Sequence, residues 1–227
     1  ESKMSIGNKI VYEINRPDKK LVELFREMPV ANIDDNMGRI AAVDAAIRPM
    51  NRSPLLGTAF TIRMPQGDNL MFHKAMDMAL PGDVIMIDAG GSVDRAIFGE
   101  LMVSYCRVRG IAGIVCDGAI RDLDGISTLT DFAVYAKGVT PNGPYKNGPG
   151  EINVPIVIGG KTVKPGDIIV GDGDGIVIID PVDAEALAAA TCKTMEKEAK
   201  IMENIIHKGE YIRPWVDEKL KEIGCDF

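Results

Sequence analysis

Residues 81–124, PGDVIMIDAGGSVDRAIFGELMVSYCRVRGIAGIVCDGAIRDLD, decide the fold of this 227-residue chain. The stretch starts with an apolar run at 84–87 that is typical of a buried strand, and two glycines follow it. A helical pattern begins near Gly99, and a second apolar run covers 111–116. Strand, turn, helix and strand in this order indicate an α/β fold, in which residues at strand ends commonly face a ligand.

Three charged residues fall at such ends: Glu100, Arg121 and Asp122. Carboxylate oxygens are the ligands that Mg²⁺ or Mn²⁺ prefers, and arginine offers a planar fork for a carboxylate. The three residues therefore predict a site for a divalent cation and a small acidic substrate. Spacing alone leaves another interpretation open, in which the Arg-Asp pair is a surface charge beside a helix cap.

The backbone at the start of the predicted helix adds an anion site. Gly99 allows close approach, and the N–H groups of Leu101 and Met102 fall in the first helical turn, where they have no helical partner. Metal, arginine and helix terminus together describe a pocket for a small α-keto acid.

Composition limits the classes of function. The chain is 46% apolar and 26% charged, with a net charge of −7. We expect neither nucleic acid nor membrane as a partner, because anionic surfaces attract basic patches. No apolar run approaches the roughly 20 residues of a membrane span, and the first residues lack the order of a signal peptide. These features predict a cytoplasmic protein.

Cysteine and histidine are scarce. The four cysteines have no C-x-x-C spacing, and His73 and His207 are the two histidines. This pattern disfavours a zinc site and a Ser-His-Asp or Cys-His mechanism. Cys106 and Cys116 lie in apolar surroundings, so we expect buried, reduced thiols.

The order of patterns predicts one domain over residues 1–227, with a central mixed sheet flanked by helices. N-terminal helices occupy about 18–45, the core about 55–180 and a C-terminal helical segment about 181–227. Within these we expect a second helix from 33–36 through Ala42 and a strand over 152–158, interrupted by Pro155. We also expect a tight hairpin at 171–175 and a long helix from Pro181 or Asp183 to about His207.

Gly99-Glu100, followed after twenty residues by Arg121-Asp122, resembles the acidic-X20-Arg-Asp signature of the RraA-like superfamily. That superfamily includes the class II 4-hydroxy-4-methyl-2-oxoglutarate / 4-carboxy-4-hydroxy-2-oxoadipate aldolases. The segments PGDVIMIDAGG, GIAGIVCDGAIRD and VKPGDIIVGDGDGIVII resemble the family framework, and the resemblance covers roughly residues 30–210. It implies a swivelling β/β/α domain that assembles as a homotrimer or a dimer of trimers.

The resemblance also implies roles for single residues. Asp122 would bind the metal directly and Glu100 through water, while Arg121 and the backbone at 99–102 would bind the pyruvoyl part of the substrate. A glutamate from the C-terminal region of a neighbouring subunit would complete the site, with Glu198 as first choice and Glu196 as second. This sequence departs from the family at Glu100, where the characterised aldolases have aspartate.

The expected activity is cleavage of a hydroxy-oxoacid to release pyruvate, with Mg²⁺ or Mn²⁺ as cofactor and oxaloacetate decarboxylation as a side activity. The alternative is a non-catalytic regulator of an RNA-processing enzyme, since the family contains RNase E regulators. Regulator-type members tend to lack the metal-binding aspartate, so Asp122 favours the enzyme.

Overall fold

The structure, a computed structural model, describes residues 6–227. In chain order its strands are β1 (Asn8–Ile10), β2 (Arg48–Pro49), β3 (Leu55–Arg63), β4 (Asp83–Asp88), β5 (Ala96–Phe98), β6 (Gly113–Ile120), β7 (Ala133–Val139), β8 (Gly150–Ile152), β9 (Ile156–Ile158), β10 (Lys161–Val163), β11 (Ile168–Gly171) and β12 (Ile176–Ile179). Its α-helices are α1 (Lys19–Glu23), α2 (Val30–Asn36), α3 (Leu70–Met78), α4 (Glu100–Val108), α5 (Leu123–Ser127), α6 (Ala184–Lys208) and α7 (Trp215–Glu222).

Four parallel strands form the centre of the sheet in the order β3-β4-β6-β7. Antiparallel strands extend it, because β8 and β11 pair with β3 and β2 pairs with β7. The near-continuous apolar sequence of β4 and β6 fits this place, since central parallel strands are covered on both faces. The predicted α/β fold with a mixed central sheet flanked by helices is confirmed.

Alternate side chains of the central strands enter different cores. On one face, Ile85 and Ile87 pack with residues of α3 and α4, including Phe72 and Val103. On the other face, Val84 and Met86 pack with the side chains of β7, β9 and β10. Helix α4, whose first turn carries Glu100, therefore lies on the same face of the sheet as Ile85 and Ile87.

A third core joins α1, α2 and the first half of α6 to the β11–β12 pair. Helix α6 contributes Ala184, Leu187 and Ala188, and the N-terminal segment contributes Val22 and Phe25. From residue 192 to residue 227 no side chain is buried. The second half of α6 and all of α7 thus lie outside the core of this chain.

Two predicted C-terminal features are confirmed. The 171–175 turn joins β11 and β12 as an antiparallel hairpin, with Asp172 N donating to Gly175 O at 3.0 Å. The long helix ends at Lys208, followed by Gly209 with φ of 66°. This left-handed conformation favours glycine, which explains the stop.

Two predicted elements are wrong in their bounds. Helix α2 begins after Pro29 and ends at Asn36 instead of running from 33–36 to Ala42, because Gly38 adopts φ of 74°. The Asp34 carboxylate accepts from Ala42 N at 3.1 Å, so this acidic residue holds the segment that follows the helix and does not cap the helix start. The predicted strand at 152–158 is two strands, since Asn153 has φ of 58° and Pro155 lacks an N–H group.

None of the helices within residues 6–227 combines the length and the apolar character needed to cross a bilayer.

Candidate active site

The ends of two neighbouring parallel strands bring the predicted residues together. Strand β5 pairs with the end of β6, with Phe98 opposite Ile120. Arg121 N continues the pairing by donating to Phe98 O at 3.0 Å. Because carboxyl ends of parallel strands meet at one edge of a sheet, the next residues of each strand become neighbours. Gly99-Glu100 and Arg121-Asp122 therefore meet in space.

Asp122 joins the two segments. Its backbone is left-handed, with φ of 61°, a conformation that aspartate tolerates better than most residues. This conformation turns the side chain toward α4, where Oδ2 accepts from Glu100 N at 3.0 Å. The carboxylate thereby satisfies one of the free N–H groups at the helix start, and negative charge is favourable there.

Gly99 is required by this contact. Its backbone is extended, with φ of −144° and ψ of −163°, so any residue could adopt the conformation. A Cβ atom at this position would lie 2.2 Å from Asp122 Oδ2 and 3.0 Å from Arg121 Cγ. The absence of a side chain is thus what lets both charged residues approach the helix.

The Glu100 side chain is exposed and lies against Gly125, where a Cβ atom would be 2.7 Å from its carboxyl carbon. Within residues 6–227 its carboxylate oxygens accept no hydrogen bond and form no ion pair. The Asp122 side chain is 46% exposed, and only its Oδ2 is engaged by a protein donor in the described chain. Both carboxylates therefore retain lone pairs that face solvent.

The Arg121 guanidinium lies beside these carboxylates and donates no hydrogen bond to any of residues 6–227. The side chain is 47% exposed, and its contact with a carboxylate is a long one, 3.9 Å from Nε to Asp122 Oδ2. A Cβ atom at Gly143 would lie 3.3 Å from Arg121 Nη1, so the segment after β7 borders the guanidinium. The donors of Arg121 are available to an incoming carboxylate.

The first turn of α4 supplies further donors. Helical bonding begins with Val103 N, which donates to Gly99 O at 3.2 Å, so Leu101 N and Met102 N precede the first helical bond. The Leu101 side chain is 87% exposed. These two N–H groups and the positive end of the helix dipole lie at the same strand edge as Arg121, an arrangement that favours negative charge.

The oxygen donors fit a hard divalent cation. Mg²⁺ usually keeps several waters and takes only one or two protein carboxylates, and here Asp122 and Glu100 are two exposed carboxylates at one strand edge. The described residues contain no group of three or more His, Cys, Asp or Glu side chains placed to hold a metal ion. Further ligands would therefore come from water, the substrate or another chain.

Glu198 lies elsewhere in the chain. It belongs to α6, which packs on α2, and its Oε2 accepts from Asn32 Nδ2 at 2.6 Å. The fold of a single chain thus brings Glu100, Arg121 and Asp122 together but does not add Glu198 to them.

Neither histidine is placed among the site residues. His73 is exposed on α3, and its pKa is lowered by partial burial and by the positive charge of Lys146. The predicted buried thiols are confirmed, and burial raises the pKa of Cys106 to about 12. Both thiols are buried and their pKa is raised, which disfavours the thiolate that a cysteine nucleophile requires.

Sequence reasoning missed Asn69, which lies beneath the helix start. Its Nδ2 donates to Ile97 O at 2.8 Å and contacts Met102 Sδ at 3.7 Å, while its buried Oδ1 has no partner in the described chain. The signal was present, because Gly67-Asp68-Asn69 follows β3 as a polar turn at the same sheet edge.

Comparison with known families gives a match to the RraA-like family, described as Aldolase/RraA, over residues 30–178. The chain belongs to the RraA-like family. A relative from Halalkalibacterium halodurans, named "Putative 4-hydroxy-4-methyl-2-oxoglutarate aldolase", is 39% identical over 85% of this chain and 93% of its own length. An uncharacterized protein of Methanocaldococcus jannaschii is 32% identical over 80% of this chain and 91% of its own length.

Solved structures agree with the fold of this RraA-like protein. The RNA-processing inhibitor RraA from Thermus thermophilis is 27% identical, with a TM-score of 0.62 over 67% of this chain and 93% of that one. RraAS2 of Streptomyces coelicolor, described as an unusual member of the RNase ES inhibitor RraA family, is 26% identical. Its TM-score is 0.71, covering 81% of this chain and 97% of that one. The family thus holds both aldolase and inhibitor names.

Proposed function

We propose that this RraA-like protein is a metal-dependent lyase that cleaves a carbon–carbon bond of a hydroxy-oxoacid and releases pyruvate. The observation that carries the proposal is the hydrogen bond from Glu100 N to Asp122 Oδ2, at 3.0 Å. This bond joins Asp122 to the first turn of α4, so that two carboxylates, Arg121 and a helix N-terminus are neighbours at one sheet edge. The aldolase name of the relative that is 39% identical gives independent support.

Each residue has a separate task in this reaction. Arg121 would take the substrate's 1-carboxylate in a bidentate pair, and the N–H groups of Leu101 and Met102 would donate to the same anionic end. Asp122 would hold Mg²⁺ or Mn²⁺ directly, and Glu100 would hold it through a bound water. When bound, the cation supplies Lewis acidity toward the keto oxygen, where negative charge develops as the bond breaks.

The positive groups of the chain assist at the same point. Arg121 and the helix terminus would place positive potential beside the developing enolate. No Schiff-base lysine is required for this route. A water near Glu100 would carry the proton, since no histidine lies in the site. Oxaloacetate decarboxylation would pass through the same pyruvate enolate and is the expected side activity.

We also propose that the site is completed at an interface between copies of this chain, as a homotrimer or a dimer of trimers, with Glu198 of a neighbour as the further carboxylate. Supporting this, residues 192–227 have no buried side chain, yet they include exposed Met202, Ile206 and Trp215. Mixing inactive Asp122→Ala chains with inactive Glu198→Ala chains should restore part of the activity. A fully active monomer by light scattering would contradict the shared site.

A substrate panel tests the activity. Pyruvate release should be measured with a lactate dehydrogenase couple on hydroxy-oxoacids and oxaloacetate, at a common Mg²⁺ concentration. We expect turnover of at least one six- or seven-carbon hydroxy-oxoacid and slower turnover of oxaloacetate. No pyruvate from any member of the panel would contradict the proposal.

A regulator of an RNA-processing enzyme is the second candidate, favoured by the inhibitor names of two solved relatives at 27% and 26% identity. It predicts binding to an RNase E-type enzyme that does not depend on Asp122. Binding in a pull-down with purified enzyme, retained by Asp122→Ala, would support this candidate. Pyruvate release without any binding to the RNase E-type enzyme would support the lyase function and reject the regulator candidate.

A further inference from the structure

The connection between β7 and β8, residues 140–149 (TPNGPYKNGP), has the composition of a flexible surface loop. In the structure it is held along its length. Asn142 O accepts from Ala96 N at 2.8 Å, and Tyr145 N donates to Gly67 O at 2.8 Å. Further along, Asn69 N donates to Tyr145 O at 3.0 Å. This segment, called the 140–149 loop below, is therefore a fixed part of the molecule.

Asp68 holds the far end of the loop. Its Oδ2 accepts from Asn147 N at 2.6 Å and from Gly148 N at 3.0 Å, while its Oδ1 accepts from Leu70 N at the start of α3. Asp68 is buried, so these bonds are protected from water.

Arg95 holds the near end. Its Nη1 donates to Gly143 O at 2.7 Å and to Asn142 Oδ1 at 3.3 Å, and its Nη2 donates to the Tyr145 hydroxyl at 2.8 Å. The guanidinium also stacks on the Tyr145 ring, 4.0 Å from its centroid. Its stem crosses Gly67, where a Cβ atom would lie 2.8 Å from Arg95 Cδ. No carboxylate within residues 6–227 pairs with Arg95, so its donors serve the loop.

The residue that Arg95 holds is the one that borders the candidate site. Gly143 O accepts from Arg95, and the Cα of the same glycine faces Arg121, where a Cβ atom would come within 3.3 Å of Nη1. Thr140 N also donates to Ile120 O at 3.0 Å, which ties the loop to the residue before Arg121. A shift of the loop would therefore change the space available to the Arg121 guanidinium.

We propose that Arg95 is a positioning residue that keeps the 140–149 loop against Arg121 and so fixes the orientation of the Arg121 guanidinium. The catalytic consequence rests on the proposed lyase function, while the structural consequence does not. Arg95 acts through Gly143 and touches neither metal nor substrate. Its loss should weaken capture of the substrate carboxylate more than it slows the chemical step, because Arg121 would sample several orientations.

The first experiment needs no substrate. Arg95→Met should be compared with Arg107→Met. Arg107 lies near the C-terminal end of α4, away from the candidate site, and donates from Nε and Nη2 to Asp131 Oδ2. The rate of amide hydrogen exchange at residues 143–148 should rise on the order of tenfold in Arg95→Met. Without the hydrogen bonds from Arg95, the loop should open locally more often and expose its amides to exchange. The rate of phenylglyoxal modification at Arg121, read by peptide mass spectrometry, should rise with it. Arg107→Met should change neither rate.

The second experiment measures KM and kcat for pyruvate release by the Arg95 variants and by wild type. Arg95→Met should raise KM by about tenfold with a smaller change in kcat, and Arg95→Lys should recover part of the loss, since lysine keeps a charged donor group but loses the planar fork. In an Arg121→Met background, Arg95→Met should add less than about twofold, because its effect passes through Arg121.

The outcomes separate the two proposals. Unchanged loop exchange and unchanged Arg121 modification in Arg95→Met would overturn the positioning role, whatever the activity. Equal kinetic effects of Arg95→Met with and without Arg121 would also overturn it. Absence of pyruvate release by the wild-type protein would refute the lyase function alone, and the exchange and modification rates would still decide the role of Arg95.

Discussion

Gly99→Ala is the most informative single substitution in the candidate site. The extended backbone at residue 99 accepts alanine, so the change adds a methyl group without backbone strain. That methyl would lie 2.2 Å from Asp122 Oδ2. Carbon–oxygen contacts are normally about 3.3 Å or longer, so the carboxylate must move by about 1 Å. The movement would break the 3.0 Å hydrogen bond from Glu100 N and displace the proposed metal ligand.

The expected loss is large for activity and small for stability. A displacement of about 1 Å in a catalytic group costs on the order of 100-fold in rate, so we expect kcat/KM for pyruvate release to fall about 100-fold. Loss of the half-exposed hydrogen bond should lower the free energy of unfolding by about 0.5–1.5 kcal/mol. Alanine restricts the unfolded chain more than glycine does, which should raise that free energy by about 0.4–1 kcal/mol. The Tm should therefore stay within about 3 °C of wild type.

The assay is the coupled pyruvate measurement beside a thermal unfolding curve. Gly173→Ala is the matched control, because a Cβ atom there would meet nothing within 4 Å and it lies in the β11–β12 turn. We expect wild-type kinetics for the control. A Gly99→Ala protein that keeps kcat/KM within about threefold of wild type would refute the assignment of Asp122 and its contact with α4 to the active site.

Three further predictions follow from other contacts. Arg121→Lys keeps the charge but loses the bidentate fork, so kcat/KM should fall about 10- to 150-fold; full tolerance would mean that Arg121 binds no carboxylate. Arg16→Met leaves the buried Asp83 carboxylate without its 2.7 Å ion pair, so the Tm should fall by about 5–10 °C and Asp83→Asn should recover part of it. Arg26→Met, which removes an exposed pair, is its control, and equal Tm changes in the two variants would contradict the reasoning. In native protein at pH 8 a thiol reagent should label Cys192 and Cys225, while burial keeps the pKa of Cys106 near 12 and protects it; rapid labelling of Cys106 would contradict the fold.

The meeting of Glu100 with Asp122 could be predicted from the sequence, because each pair of residues follows an apolar or strand-like segment that ends at one edge of a parallel sheet. The contacts that bring them together could not be predicted from the sequence. Strand β5 has only three residues and carries no periodic signal, yet its pairing of Phe98 with Ile120 sets the register of the site. The left-handed backbone of Asp122 brings its side chain to α4, and no local pattern encodes that contact.

Contacts and backbone angles also explain structural details that the sequence patterns did not give. The 140–149 loop has the composition of a surface loop, and Arg95 and Asp68, distant in sequence, hold it in place. Helix α2 ends early because Gly38 adopts a positive φ and Asp34 accepts the N–H groups beyond it. In each case a side chain far along the chain or a single backbone angle decided the outcome, and residue patterns do not report either.

The central claim is that Asp122 holds a divalent cation that pyruvate release requires. The most direct measurement is the rate of pyruvate release by EDTA-treated protein as Mg²⁺ or Mn²⁺ is added back, for wild type and Asp122→Ala side by side, with circular dichroism to confirm that both are folded. The account predicts that the cation restores turnover in wild type and that Asp122→Ala remains inactive at every concentration. Turnover that persists in EDTA, or that Asp122→Ala regains to the wild-type level, would contradict it.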